Sequence, residues 1–470
     1  MSKKQLNSNE QTPSPELARP NACRIFDRRH FLGGAAIAGL AAPIMGGGLA
    51  MAAMPSAESK SGDFGESYLN VRKFGARGNG KTDDTAAIQK ALDTAGRQSG
   101  NVVLLPTGDY LMKGSLDVPP NVTLQGIFRA PVGGYAWAPD NPPLSGSCLL
   151  ATGGKGKPDG APLISLNTNS TLYGVKVFYP EQTCPEPPVQ YPWTVRQIGV
   201  GTALVNVTII NPWQAVDCGT VTGVRHYIHG LYSQPLKTGL FIDKCTDIGR
   251  VQDAHFWPFW KTDPKIGTFT STEATAFLFG RTDWEYMFNC FAIRHKIGYH
   301  FLHTPSGNPN VLLTQCGSDN GEPGTRSTSV RVDASPEFSG ISFLNGQFMG
   351  TPAVEVGTTN TGPVKFTNCE FWGGLLTDTM AMLEGSGQTT FMGCHFWIPR
   401  AQQAKKAPII VLRRGGLTVN GCEFMNVRDR HVALERGAAA AVILGNRFHG
   451  PARISNQIGT KAKIGMNAVD

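Results

Sequence analysis

The chain has 470 residues, with 56 glycines, 17% charged residues and a formal net charge of +8. Abundant glycine and sparse charge fit many turns and few exposed helical faces, which argues against a mainly helical protein. The basic excess is mild and partly confined to the N-terminal segment. It suits a soluble surface or an acidic polysaccharide, and gives no reason to expect a nucleic-acid partner.

The first residues read as an address. Asp27-Arg28-Arg29-His30-Phe31-Leu32 is a twin-arginine signal, followed by a Gly/Ala-rich stretch and a candidate cleavage site near Ala50-Met51-Ala52. The expected partner is the twin-arginine export machinery, the expected location periplasmic or secreted, and no membrane segment is expected in the mature form. Boundaries are expected at 1–57 (signal and linker), 65–130 (a capping module), 131–450 (repeats) and 451–470 (a tail).

In the capping module, Leu69 to Phe74 alternates as a strand and Gly75 to Lys81 is a Gly-rich turn. Thr82-Asp83-Asp84-Thr85 resembles a helix N-cap, and Ala86 to Gly96 reads as a helix with Ile88, Ala91 and Leu92 on one face. Such a helix would cover the open end of a solenoid and its unpaired strand edges. Gly75 to Thr82 also matches the phosphate-loop pattern GxxxxGK[ST]. Two acidic residues at the helix start oppose phosphate there, and no alternating α/β domain follows.

Farther on, Gly, Asn or Asp is repeatedly followed three residues later by Phe, Tyr or a branched aliphatic. The pairs are Gly174–Val177, Asn206–Ile209, Asp253–Phe256, Asp283–Tyr286, Gly346–Met349 (with Phe348 beside it), Asn368–Phe371, Gly393–Phe396, Gly421–Phe424 and Gly445–Phe448. They return mostly at intervals of about 23 to 32 residues, the signature of stacked repeats. Cys369, Cys394 and Cys422 hold one position in three successive repeats and are expected to point inward as small buried residues, without disulfides. Longer loops are expected at 128–147, 179–197, 258–274 and 304–328.

The stretch Asn70 to Gly126 carries Phe74-Gly75-Ala76, Gly80, Thr82-Asp83-Asp84-Thr85, Ala87-Ile88, Val103, Pro106, Gly108 and Tyr110. It resembles the N-terminal module of pectate-lyase-superfamily proteins of the rhamnogalacturonase and epimerase type, related to polygalacturonases. The resemblance implies an all-β, right-handed parallel β-helix with a short N-terminal capping helix, and a carbohydrate-active function without fixing the reaction. Asn-Thr-Asp and Gly-His-Gly are missing, so no polygalacturonase residue carries over.

Two repeats have Asp in first position. Aligning Asp253-Ala254-His255-Phe256-Trp257 with Asp283-Trp284-Glu285-Tyr286-Met287 puts Phe256 and Tyr286 in the core and Asp253, His255, Asp283 and Glu285 outside. Adjacent carboxyls suit glycosidic hydrolysis, with Glu285 as acid and Asp253 or Asp283 as nucleophile or base. His255 would be a base or hold substrate. Trp257 and Trp260 are expected as sugar platforms, and Arg281 and Arg294 as partners for a uronate carboxylate. Asp243 and His295 rank lower, and His226 and His229 show no metal-ligand spacing. Glu370, His395 and Glu423 hold the matching outer place in later repeats, so an outward acid or histidine is not by itself a catalyst. The expected activity is polysaccharide hydrolysis without a cofactor. The alternatives are a lyase acting on a uronic-acid polymer, with calcium as a possible neutraliser, and a non-catalytic sugar-binding solenoid.

Overall fold

The structure, a computed structural model, describes residues 68–470 except 99, 128–145, 185–186, 259, 261–263, 320–323, 374–376 and 399–405. The twin-arginine segment and most of the 128–147 loop lie outside the described residues.

One backbone corner per repeat generates the architecture. Asn206, Gly230, Asp253, Asn289, Gln315, Asn345, Asn368, Gly393, Gly421 and Gly445 all take left-handed φ angles, between 52° and 70°. That region is open to Gly at little cost and is visited by Asn and Asp more often than by other side chains, which accounts for most of the repeat's first position. Each corner turns one run of strand into a second. Both belong to a 28-stranded sheet, and a third strand per turn of the chain builds a 13-stranded sheet. Strands of successive rungs pair in parallel, so the chain is a parallel β-helix, as the repeats and the resemblance imply.

The residue three after the corner turns inward. Phe348, Phe371, Phe396, Phe424 and Phe448 form a column with ring centroids 5.5, 5.0, 4.9 and 4.7 Å apart. Phe343, Phe366 and Phe391 form another at 5.3 and 5.2 Å. These distances follow the rung spacing of about 4.8 Å. The residue just after the corner is also inward, and Cys290, Cys316, Cys369, Cys394 and Cys422 are all buried there as free thiols. The amides of Gly346 and Cys394 donate to the sulfurs of Cys369 and Cys422 at 3.4 and 3.3 Å.

At the N-terminal end helix α1 (Thr85–Arg97) buries Ile88, Ala91, Leu92 and Ala95. The expected strand 69–74 is instead a short strand, Tyr68–Asn70, followed by a 3₁₀ turn, Val71–Phe74. Asp83 accepts from the Thr85 amide at 3.1 Å. Asp84 turns away from the helix, and its buried carboxylate accepts from the amides of Arg77 and Gly78 at 2.7 and 2.8 Å. Two amides of the phosphate-loop look-alike are thereby already occupied.

Two further expectations change. Residues 258–274 contain helix α2 (Pro264–Glu273), which starts on proline, a residue preorganised for a first turn. Ile266 of this helix joins Cys148, Phe178, Ile210, Leu236 and Trp260 in a second apolar cluster, separate from the main core. The expected tail also continues the solenoid, because Ile454–Asn456, Ala462–Gly465 and Ala468–Val469 pair with the preceding rung.

Candidate active site

The strand pairings replace the alignment of the two Asp repeats. Gly249, Arg250, Val251 and Gln252 pair with Glu285, Tyr286, Met287 and Phe288, and His255 pairs with Phe291. Asp253 therefore faces Asn289, the true corner of the next rung, and not Asp283. The repeat's aromatic signal fails there because the residue three after Asn289 is Ala292. The slip reverses the faces, as a shift of register must. Tyr286 is 39% exposed and Glu285 is fully buried. Glu285 cannot act as an acid on the outer surface.

Asp283 is displaced along the strand instead. It lies six residues before Asn289, about 20 Å at strand rise. Arg281 pairs with it at 3.1 Å, in the turn between the two sheets. Asp243 belongs to the same turn, accepting from the Arg281 amide at 2.7 Å and from the Thr304 hydroxyl at 3.1 Å. This group closes a turn and is separate from Asp253. Trp260 is only 3% exposed, within the second apolar cluster, so it offers no free face to a sugar. His295 is buried as well, and burial pushes its imidazole down to about 4. Arg294 is half-buried at a left-handed position, with φ 62°.

What remains together is Asp253, His255 and Trp257, joined by residues the repeat pattern did not single out. His229 immediately precedes the corner Gly230, where side chains face outward, and Asp253 is the corner of the following rung. His229 Nε2 meets Asp253 Oδ2 at 3.0 Å, and the Asn289 side-chain amide donates to Asp253 Oδ1 at 2.6 Å. His229 and Asp253 are 41% and 35% exposed. On the same face Arg250 is exposed and pairs in register with Tyr227 and Tyr286. That register puts Arg250 about 8 Å from His229 on the neighbouring strand, about the span of a sugar ring. The signal for His229 in the sequence is its distance from Asp253, one repeat apart.

His255 occupies the outward row that continues through Phe291, Gly317, Gln347, Glu370, His395, Glu423 and Arg447. Its ring stacks on Trp257 at 5.0 Å, meets Phe291 edge-on at 5.8 Å, and lies 6.5 Å from Tyr232. Burial among these rings pushes its imidazole down to about 4, so it is neutral near pH 7. Farther along the row His395 Nδ1 meets Glu370 at 2.7 Å, and Arg447 pairs with Glu423 at 3.3 Å.

Residues 68–131 match a family described as rhamnogalacturonase A/epimerase, pectate lyase-like. Among curated proteins, the chain is similar to alginate lyase 7 of Azotobacter vinelandii, 56% identical over 45 residues, or 10% of this chain and 5% of that protein. It is also similar to a probable glucan endo-1,3-beta-glucosidase of Arthroderma benhamiae, 40% identical over 74 residues, or 16% of this chain and 8% of that protein. The matches thus span less than a tenth of either relative. Among solved structures, the tailspike protein of Escherichia coli bacteriophage HK620, solved in complex with pentasaccharide, superposes with a TM-score of 0.52 at 8% identity. That match covers 86% of this chain and 78% of the tailspike chain and speaks to the fold. The N-terminal module is thus similar to the pectate lyase-like family, and the stacked parallel rungs give the chain a parallel β-helix fold.

Proposed function

We propose that the protein is an exported carbohydrate-active enzyme that cleaves a uronate-containing polysaccharide by β-elimination. The observation that carries this reading is the His229–Asp253 pair, 3.0 Å apart and open on the outer face. Hydrolysis calls for two carboxyls about 5 to 9.5 Å apart across the scissile bond. Asp253 lacks that companion on the adjoining rung, because Glu285 faces inward and Asp283 serves Arg281.

Elimination needs a base, a positive charge for the uronate carboxylate and a proton for the departing oxygen. Asp253 accepts from His229 Nε2, leaving the Nδ1 lone pair to take the proton next to the sugar carboxylate. Arg250 stabilises the charge that builds on that carboxylate. The C–H electron pair becomes the new double bond as the glycosidic C–O bond breaks. Tyr227, two residues before His229 on the same strand face, is placed to return a proton to the departing oxygen. Calcium does not fit this patch. It requires six to eight oxygen ligands, and both oxygens of Asp253 are already engaged by His229 and Asn289.

The names of the two curated relatives support a carbohydrate substrate. Incubation with alginate, pectate and neutral glucans tests the reaction. An unsaturated product absorbing in the near ultraviolet is expected, and it should vanish in His229→Gln. Reducing ends without that absorbance would instead establish hydrolysis and overturn the elimination reading. For export, residues 1–57 fused to a reporter should direct it to the periplasm, and Arg28→Lys with Arg29→Lys should retain it in the cytoplasm.

A further inference from the structure

Behind the outward patch, inside the solenoid, three chemically distinct ligand groups converge. His226, Gly249 and Glu285 lie in register on three successive rungs, one residue before Tyr227, Arg250 and Tyr286. The imidazole and the carboxylate reach across the intervening rung and meet at 3.0 Å, with both side chains 1% exposed or less. They can meet only because residue 249 has no side chain. A β-carbon there would lie 2.2 Å from Glu285 Oε2 and 2.5 Å from His226 Nε2. Cys245 completes the group, and the donor atoms of all three lie within 4.8 Å of one another.

We propose that His226, Cys245 and Glu285 form a buried, three-ligand metal site inside the β-helix, of the kind that takes zinc. The surrounding core is largely apolar, and an ion pair in it carries a desolvation cost that can exceed its attraction. Glu285 Oε2 is buried and has no hydrogen-bond partner, so the group as it stands leaves an acceptor unused. A nitrogen, a sulfur and a carboxylate oxygen are the donor types zinc uses. A dication bound by a thiolate, a carboxylate and a neutral imidazole has zero net charge, which removes the electrostatic objection to burial. Binding releases two protons, one from the Cys245 thiol, which donates to the Asp247 carbonyl at 2.8 Å without metal, and one from the His226–Glu285 pair. The site is sealed, so its role is to tie together the three rungs whose next residues are Tyr227, Arg250 and Tyr286. Nothing in this inference depends on the reaction proposed above.

Cobalt(II) is the probe. The full chain, stripped with chelator and shown to remain folded by circular dichroism, is titrated with cobalt(II), and then with zinc(II) to displace it. About one equivalent of cobalt is expected, with a thiolate-to-cobalt charge-transfer band, and zinc should abolish the band. Cys245→Ala, a small buried replacement, should fold, lose the band and bind at least tenfold more weakly. Zinc should raise the melting temperature of the parent chain and leave that of Cys245→Ala unchanged. Failure of the folded parent chain to bind cobalt, or an unchanged band in Cys245→Ala, would overturn the site. These readouts are independent of polysaccharide turnover, so failure of the metal site and failure of the elimination reading are separable.

Discussion

Acid should loosen the rungs around His295 in a way that one substitution can isolate. Burial is the main cause that lowers this imidazole from 6.5 to about 4, against a smaller raising effect of a backbone hydrogen bond at Ile293. Between those two values the unfolded chain binds a proton that the folded chain refuses, so stability rises with pH across the window and is lost on acidification. At pH 5 the medium is about 1.5 units below the unfolded value. At 1.36 kcal/mol per unit, that amounts to about 2 kcal/mol lost relative to pH 7. Below about pH 4 the loss should level off. The comparison is between the parent chain and His295→Phe, which keeps a ring and cannot titrate. Urea unfolding of both at pH 7 and pH 5, with hydrogen exchange followed in Phe291–Ile293 and Ile297–Leu302, separates this histidine from the carboxylates, whose titration is common to the two proteins. The parent should lose about 2 kcal/mol more than the variant. Parallel pH profiles would show that the imidazole is not excluded from protonation, and the burial reasoning would fail.

Three further outcomes are expected. Asp253→Asn keeps a residue suited to the left-handed corner but removes the charge beside His229. Turnover should fall by about 10²- to 10⁴-fold with little change in melting temperature, and full activity would sink the His229–Asp253 assignment. Phe396→Ala empties a place between Phe371 and Phe424, and should cost about 3–5 kcal/mol in denaturant unfolding. Asn368, at φ 52°, should accept Gly with little effect, whereas Val should lose about 1–2 kcal/mol from left-handed strain. Equal melting temperatures for these two variants would contradict the corner's role.

The corner residues explain both what was legible in the sequence and what was not. Where the residue three after the corner is aromatic, as at Asn368–Phe371 or Gly421–Phe424, two independent constraints coincide: the φ > 0 position and the inward ring. Rung and face can then be read directly. At Asn289 and Gln315 the inward residues are Ala292 and Ser318, so the second constraint is silent. Asp283–Tyr286 imitates the motif a few residues too early. A local pattern cannot register the partner strand, and the slip turned a buried glutamate into an apparent surface acid. Trp260 misled for another reason. Its burial comes from α2 and the second apolar cluster, tertiary contacts that no periodicity announces. The same limit hid His226, whose partners Cys245 and Glu285 are brought near it only by the stacking of rungs.

The aromatic columns also bear on how such a chain can change over time. Each ring inside a column rests on one ring above and one below, and no contact requires a particular number of floors. A duplicated or deleted repeat would present the same surfaces to its new neighbours, whereas a single lost ring leaves a gap that the floors on either side cannot close. The whole repeat, rather than the individual residue, is therefore the natural unit by which this chain can lengthen or shorten, and its outward face can vary while the column persists.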